Sequence, residues 1–307
     1  MVKYVLAAIA LKCFSSGPLM RSLYRRTGNR FGSKARASRP MPGYYAQRVK
    51  RMLSLQRRHG IVGNGDHIIE LGTGWLHWDA LSWRLFYDVK VVMFDVWDNR
   101  QIGPLKNYVR QLRAMLNHGF ELSASELKRA QSLADAIIKV ESFDELYKLL
   151  DFQYVIEGSG SLRQFPDNSF QLVVSSGVLE HVQREALPML GRETQRILKP
   201  GGWAVHSIET TDHLQHYDLK VSPKKYLSFS ELTWKYLFES QVQYINRFQR
   251  GEWLELFKSN GFELVDEEVF RVDISRLKLA ERYIHMDKSD LECSTLNLAL
   301  RKPSSAS

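Results

Sequence analysis

The chain has 307 residues, of which 44% are hydrophobic and 25% are charged, a composition typical of a globular protein with a sizeable core. It contains only two cysteines, Cys13 and Cys293, which lie far apart in sequence. This excludes a disulfide framework and a cysteine-rich zinc cluster, and we predict a cytoplasmic protein.

The net charge of +9 is concentrated in an N-terminal arm that ends before Asp66. The arm contains 14 of the 43 Lys and Arg residues and no acidic residue, so the remainder holds 29 basic against 34 acidic residues. Its apolar run at 4–11 is too short to cross a bilayer, which needs about 20 residues. We predict an interfacial helix and peripheral binding to an anionic membrane surface through residues 1–58. The alternatives are a cap on the rest of the protein and nucleic-acid binding.

The expected domain boundary lies at the end of this arm. We predict a basic helical arm or cap at 1–64 and a second domain at 65–303. Within the arm, the proline-punctuated sequence SKARASRPMP (33–42) indicates a linker. A helix is predicted next at 44–58, with an apolar stripe of Tyr45, Val49, Met52 and Leu53.

Strand and helix patterns alternate from residue 66 onward. The predicted strands are 66–71, 90–96, 154–156, 170–175, 203–208, 262–270 and 294–301, and the main predicted helices are 76–86, 180–198 and 251–260. Helical insertions interrupt the alternation at about 104–150 and 209–245. This order predicts an α/β fold with a seven-stranded, mainly parallel sheet and helices on both faces.

A glycine-rich loop follows the first predicted strand in the sequence IIELGTGWLHW (68–78). Gly72 and Gly74 allow the backbone to approach a ligand without a Cβ clash, and open parallel sheets bind ligands beyond the carboxyl ends of their strands. Asp95 ends the next strand, where a carboxylate can accept hydrogen bonds from both hydroxyls of a ribose. His77 stands where a dinucleotide-binding loop has its third glycine, which argues against an NAD-dependent oxidoreductase.

Four segments, in this order, resemble the Rossmann-like class I methyltransferases that depend on S-adenosylmethionine. ELGTG is similar to their motif E/D-x-G-x-G-x-G, and FDV (94–96) is similar to their second-strand acid motif. FPDNSFQLVVSSGVLEHV (165–182) resembles their fourth-strand block, and RILKPGGWAVHSI (196–208) resembles the helix, turn and strand that follow it. The resemblance covers residues 65–301, which is nearly all of the acidic part of the chain.

The resemblance implies S-adenosylmethionine as the cofactor. The glycine loop contacts its methionine part, the glutamate of ELGTG orients the loop, and the acid after the second strand holds the ribose. Where the family usually has an acid near the adenine, this chain has EGSGS (157–161). We expect Ser159 or Ser161 to bind the adenine instead, with the carboxylate of Glu157 as the alternative. The predicted cofactor-binding residues are Glu70, Gly72, Thr73, Gly74, Asp95, Ser159 and Ser161.

The acceptor side of the reaction is expected in the second insertion, in IETTDHLQHYDLKVSP (208–223). Asp212, His213 and His216 lie close together there, and His181 follows the fourth strand. We predict these four as catalytic residues, because an oxygen nucleophile usually needs a base near its proton. A metal site or a polar loop without catalytic function are the alternatives, and we assign no residue as a metal ligand.

A later segment, NRFQR (246–250), follows this histidine segment as it does in a similar subgroup of bacterial methyltransferase-domain proteins of unassigned substrate. Arg247 and Arg250 are candidates to bind an acidic group of the substrate, with a solvated helix start as the alternative.

These features predict a methyltransferase that modifies a small molecule, sugar or lipid-linked glycan, with O-methylation as the reaction. An RNA methyltransferase is one alternative, because the basic arm suits phosphate. A catalytically inactive binding protein is another, because Leu76 and Ser159 depart from the family pattern.

Overall fold

The computed structural model describes residues 1–304, and these residues fold as two compact units. The insertion unit comprises Met1–Thr27, Ser176–Arg192 and His206–Leu300, and the loop unit comprises Gly28–Ser175, Glu193–Val205 and the residues from Arg301. The predicted domain boundary at residue 64 stays a prediction, because the two compact units are divided at other residues of the chain.

The sheet has seven strands in the order β3-β2-β1-β4-β5-β7-β6. The strands are β1 His67–Leu71, β2 Lys90–Asp95, β3 Phe152–Ile156, β4 Phe170–Ser176, β5 Leu198–Glu209, β6 Glu263–Arg271 and β7 Cys293–Arg301. β1 pairs in parallel with β2 and β4, and β2 pairs in parallel with β3. The carboxyl ends of β1, β2 and β3 therefore meet at one edge of the sheet, and the fold prediction is confirmed.

Strand β7 runs antiparallel to β5. The Gly201 N–H donates to the Lys302 carbonyl, whereas the Thr210 N–H donates to the Ser294 carbonyl, so one strand advances as the other returns.

The described residues also form helices before, between and after the strands along the chain. The helices are α1 Val2–Ser15, α2 Pro18–Ser38, α3 Gly43–His59, α4 Trp78–Phe86, α5 Ile102–Met115, α6 Ala124–Lys139, α7 Phe143–Leu150, α8 Leu187–Ile197, α9 Glu231–Thr233, α10 Arg250–Ser259, α11 Glu281–Ile284 and α12 Lys288–Leu291. The predicted stripe of α3 is buried, and the helix ends at Gly60, whose φ of 59° is readily adopted by glycine. No helix in residues 1–304 is long and apolar enough to span a membrane.

Two predicted boundaries were wrong. The linker predicted at 33–42 is helical up to Ser38, because no proline interrupts α2 until Pro40 and Arg36 is anchored by hydrogen bonds to Gln101. The helix predicted from residue 180 begins only at Leu187, after two short 3₁₀ turns. Pro188 explains the second difference, because its ring would clash with a helical carbonyl four residues earlier.

Helix α1 packs on the second insertion within the insertion unit. Tyr4, Ala8 and Leu11 share a buried cluster with residues of that insertion, among them Leu214 and Trp234. Each fully buried apolar side chain in such a cluster contributes about 1.5–3 kcal/mol. One face of α1 is therefore packed against the second insertion, and a role of the whole arm as a cap stays a prediction.

Candidate active site

The glycine loop after β1 has the backbone geometry that its sequence predicts. Gly72 and Gly74 have φ values of 66° and 58°, in the left-handed region where a side chain is strained. The Gly72 and Thr73 N–H groups donate to the Phe94 carbonyl at 2.8 and 3.3 Å, which holds the loop against the end of β2.

Asp95, at the end of β2, is buried and fastens the same loop. Its Oδ2 accepts the Gly74 N–H at 2.8 Å, and its Oδ1 accepts the Val96 N–H at 2.7 Å and the Trp97 N–H at 3.5 Å. Burial raises the pKa of Asp95, and the backbone donors oppose this shift. A carboxylate has about four lone-pair sites, so one remains on Oδ2 for a ligand hydroxyl.

Glu70 links the loop to the first turn of α4. Its Oε1 accepts the Asp79 N–H at 3.2 Å, and its Oε2 accepts the Ala80 N–H at 3.1 Å and the Thr73 hydroxyl at 3.0 Å. The negative charge lies at the positive end of the helix dipole. Burial, and then the charge of Asp79, raise the pKa of Glu70.

Arg48 of α3 supplies the countercharge for these two carboxylates. Its guanidinium forms a two-pronged ion pair with Asp79, and its charge lowers the pKa of Glu70. Sequence reasoning missed this pair, because Arg48 lies in a run of basic residues that looked solvent-exposed.

His77 occupies the position of the absent third glycine and is fully buried. Its Nδ1 lies 2.6 Å from the Thr73 hydroxyl and its Nε2 lies 2.9 Å from the Tyr147 hydroxyl, with Phe143 and Tyr154 packed around the ring. The first insertion provides Phe143 and Tyr147 for this aromatic pocket, and β3 provides Tyr154. Its φ of 51° is uncommon for a residue other than glycine.

The buried imidazole of His77 predicts a loss of stability in acid. Burial lowers its pKa from 6.5 to about 3, so below pH 6.5 the unfolded chain binds a proton that the folded chain does not. Between these limits the free energy of unfolding should fall by about 1.4 kcal/mol per pH unit from this group. Urea titrations at several pH values check this, and His77→Asn, a residue that tolerates positive φ, should reduce the slope. An unchanged slope in the variant would contradict the assignment.

Ser159 and Ser161 lie in an exposed turn after β3. The Ser159 hydroxyl donates to Glu157 at 2.8 Å and accepts the Ser161 N–H at 3.3 Å, and the Ser161 hydroxyl accepts the Arg163 N–H at 3.4 Å. The turn follows β3 at the edge where β1 and β2 also end. Binding of the adenine by these serines stays a prediction.

The insertion unit contains a separate cluster of histidines and carboxylates. The rings of His181 and His213 lie 5.0 Å apart, and those of His213 and His216 lie 5.7 Å apart. Glu209 lies 3.8 Å from the His213 Nε2 and 4.0 Å from the His216 Nε2. Glu180 completes the cluster, and its Oε1 accepts the Glu209 N–H at 3.1 Å. The structure thus brings together three of the four predicted catalytic residues.

Two glutamates in this histidine cluster were missed by sequence reasoning. Glu180 precedes His181 in the LEH sequence, and Glu209 precedes the histidine segment, so both were adjacent to predicted residues. Glu180 lies in the turn that follows β4 and Glu209 is the last residue of β5, and this position beyond or at a strand end was the signal that could have identified them.

Asp212, the fourth predicted catalytic residue, is fully buried beneath α1. Its Oδ2 accepts the Tyr4 hydroxyl at 2.5 Å, and its Oδ1 accepts the Leu214 N–H at 3.0 Å. Both oxygens thus have structural partners, and the bond from Tyr4 holds α1 on the insertion. A catalytic role for Asp212 stays a prediction.

The two arginines considered for an acidic substrate group are already paired within the insertion unit. Arg247 forms an ion pair with Glu231 at 2.7 Å, and Arg250 pairs with Glu267 and Asp290 at 2.7 and 2.9 Å. Both arginines therefore have acidic partners within the chain, and their binding of an acidic substrate group stays a prediction.

Comparison with known proteins agrees with the motifs. Residues 37–267 match the sequence profile of a family described as "Methyltransferase domain". No curated protein matches the chain.

Solved structures with a similar fold include an S-adenosylmethionine-dependent methyltransferase from Methanosarcina mazei, at 15% identity, covering 80% of this chain and 97% of that one, with a TM-score of 0.43. An S-adenosylmethionine-dependent methyltransferase from Mesorhizobium loti has 15% identity, coverage of 79% and 94%, and a TM-score of 0.43. A phosphoethanolamine N-methyltransferase from Haemonchus contortus has 16% identity, coverage of 82% and 52%, and a TM-score of 0.44. The family assignment rests on the profile match, which spans three quarters of the sequence: the chain belongs to the methyltransferase-domain family and is an S-adenosylmethionine-dependent methyltransferase.

Proposed function

We propose that this enzyme methylates a hydroxyl oxygen of a small molecule, sugar or lipid-linked glycan that it meets at an anionic membrane surface. The observation that carries the proposal is the histidine cluster of the insertion unit, in which His216 provides an exposed imidazole beside the carboxylate of Glu209. An oxygen nucleophile has a proton to lose, and a positioned imidazole is the commonest group to accept it.

The loop unit has groups that fit S-adenosylmethionine. The two left-handed glycines leave a surface without Cβ atoms for the methionine part, and the remaining lone pair of Asp95 suits a ribose hydroxyl. Glu70 and Thr73 hold the loop in this form from beneath. When bound, the cofactor supplies a methyl group on a sulfonium sulfur, and that sulfur takes back the electron pair of the broken S–C bond.

His216 is the residue that we assign to accept the proton. The Gln215 amide donates to its Nδ1 at 3.1 Å, so Nδ1 carries the lone pair and Nε2 carries the hydrogen, on the side of Glu209. An acceptor hydroxyl replaces the exposed Gln215 amide and passes its proton to Nδ1 as the O–C bond forms. Glu209 then stabilises the imidazolium.

Replacement of His216 by Asn should lower kcat about 100-fold, at the lower end of the range for general bases, because the side chain is exposed and water can partly replace it. Cofactor affinity should stay unchanged in the same variant. The assay follows tritiated methyl groups from S-adenosylmethionine into hydroxyl-bearing sugars, a polyisoprenol-linked glycan fraction and total RNA. His285→Asn, at another exposed histidine, is the matched control. Label that enters only RNA, or a His216 variant with full activity, would overturn the proposal.

The exposed face of α1 supports the membrane part of the proposal. Val2, Leu6 and Ile9 are 74%, 60% and 54% exposed on the side opposite its buried residues, so this helix is apolar on both faces. The arm around it has basic residues and no acid, which complements anionic headgroups. RNA phosphates would pair with the basic residues of the arm but would make no contact with the exposed apolar face of α1. We therefore propose a lipid surface as the partner.

Vesicle binding tests this surface. Leu6→Glu should weaken co-sedimentation with vesicles of phosphatidylcholine and phosphatidylglycerol at least about 10-fold, because an apolar contact worth about 1.5–3 kcal/mol is lost and a negative charge is added. Vesicles of phosphatidylcholine alone should bind weakly. Ile284→Glu changes an exposed apolar residue elsewhere and should have no effect. Equal binding by both variants would rule out α1 as the contact.

A further inference from the structure

Three potential ligand atoms converge in the histidine cluster. The side chains of Glu180, His181 and His213 each place one oxygen or nitrogen within 4.8 Å of the other two. Within residues 1–304, the buried Glu180 Oε2 and His213 Nε2 atoms have no hydrogen-bond partner. Buried polar atoms are rarely left without one, so these two indicate a ligand between them.

The third member, His181, has the tautomer that a metal ligand requires. Its Nδ1 lies 2.7 Å from the Tyr244 carbonyl oxygen, and a carbonyl can only accept, so Nδ1 carries the hydrogen. The lone pair is therefore on Nε2. Metal-binding histidines typically have such a hydrogen bond from the second ring nitrogen to a carbonyl or carboxylate, which sets the orientation of the ring.

Hydrogen bonds within the chain also fix the turn that carries Glu180 and His181. The Asn246 side chain donates to the Leu179 and Val182 carbonyls at 2.8 and 3.1 Å, and so clamps the turn that carries Glu180 and His181. The buried Glu180 has one oxygen bonded to the Glu209 N–H and the second unsatisfied. Burial of a carboxylate without a full set of donors is costly, and a cation would offset this cost.

We propose that Glu180, His181 and His213 bind one divalent first-row transition-metal cation, of which Zn²⁺ is the representative. Two imidazole nitrogens and one carboxylate oxygen suit Zn²⁺ or Fe²⁺, whereas Mg²⁺ and Ca²⁺ prefer oxygen ligands throughout. Three protein ligands leave a coordination position for a water molecule or an acceptor oxygen. This departs from the sequence-based assignment, which named no metal ligand.

The role of the cation rests on the proposed O-methylation. A hydroxyl bound to it becomes more acidic, so its proton passes more readily to His216 while the oxygen attacks the methyl carbon. The bond between the acceptor oxygen and the methyl carbon forms as the bond between that carbon and the cofactor sulfur breaks. The electron pair of the broken bond returns to sulfur, and the proton leaves the acceptor oxygen for His216.

Metal binding is tested without cofactor or acceptor. Full-length protein is treated with a chelator, then titrated with Zn²⁺ by calorimetry and with Co²⁺ by visible absorption, which reports nitrogen and oxygen coordination. We expect one ion per chain, and at least about a 10-fold loss of affinity in His213→Gln and in His181→Asn, since even residues that only support a ligand change affinity by about 10–100-fold. The exposed His181 variant is the safer for folding, and His285→Asn is the control for a lone surface histidine.

Absence of saturable Zn²⁺ and Co²⁺ binding, or equal binding by both cluster variants and the wild type, would overturn the metal site. Full methyl transfer by the chelator-treated enzyme would also overturn its catalytic role and leave the proposed O-methylation intact. Conversely, a 1:1 site sensitive to both variants would stand even if no hydroxyl acceptor were methylated. The two proposals therefore fail separately.

Discussion

Replacement of Asp95 by Ala should lower the affinity for S-adenosylmethionine about 1000-fold, a loss of about 4 kcal/mol. The carboxylate accepts the Gly74, Val96 and Trp97 N–H groups, so the variant loses the bond that fastens the glycine loop together with the ribose contact that we predict. Each charge-assisted hydrogen bond contributes about 1.5–3 kcal/mol, and two such losses account for the expected effect. Calorimetric titration of the purified full-length protein measures it.

Asp98→Ala is the matched control for this experiment. Asp98 lies three residues further along the same segment, is exposed, and pairs with Arg100 instead of the loop. Removal of the Asp98 carboxylate should leave the affinity for the cofactor within about 3-fold of the wild-type value, because exposed ion pairs contribute about 0–1 kcal/mol. If both variants bind as the wild type does, the ribose assignment of Asp95 is wrong.

Replacement of Arg48 by Met should lower the free energy of unfolding by about 3–5 kcal/mol, because it leaves buried carboxylates without a countercharge. The methionine keeps much of the side-chain volume and removes the ion pair with Asp79. Glu70 adds to the effect, because Arg48 is the cation that lowers its raised pKa. Urea unfolding at neutral pH measures the difference between variant and wild type.

The deficit of the Arg48 variant should shrink on acidification. A carboxyl whose pKa is raised in the folded state destabilises that state above the folded pKa, and the penalty disappears below the unfolded pKa of about 4.3. Arg113→Met, which removes the exposed pair with Asp135, is the control and should cost less than about 1 kcal/mol. Equal losses of unfolding free energy in the two variants would show that the buried pair stabilises the fold no more than the exposed pair does.

The sequence predicted the sheet well, because the signals for it are local. Strands of parallel sheets are short apolar runs. The glycine loop follows one of them and Asp95 ends the next, so the edge that carries the predicted cofactor-binding residues could be inferred. The errors came where local signals conflicted. Small and basic residues at 33–38 resembled a linker, although long-range bonds from Arg36 hold the helix.

The candidate acceptor site was only half predictable. The sequence shows His213 and His216 as a pair in one segment, but the side chains that could act together with them come from other segments. Glu180 and His181 lie more than 30 residues earlier, and the carbonyl that sets the tautomer of His181 belongs to Tyr244. Spacing within one segment cannot reveal such groups, because loop lengths do not determine which side chains converge.

By itself, the sequence determined the α/β fold, the family and the cofactor, since periodicity, glycine positions and strand-end acids are encoded over short stretches. Only the tertiary structure decided that Arg48 neutralises Asp79, that the first insertion encloses His77, and that α1 is held by Tyr4 on Asp212, 208 residues away. These contacts are decided by burial. A charge or ring taken from water must find a partner, and that partner is whichever residue the folded chain brings beside it.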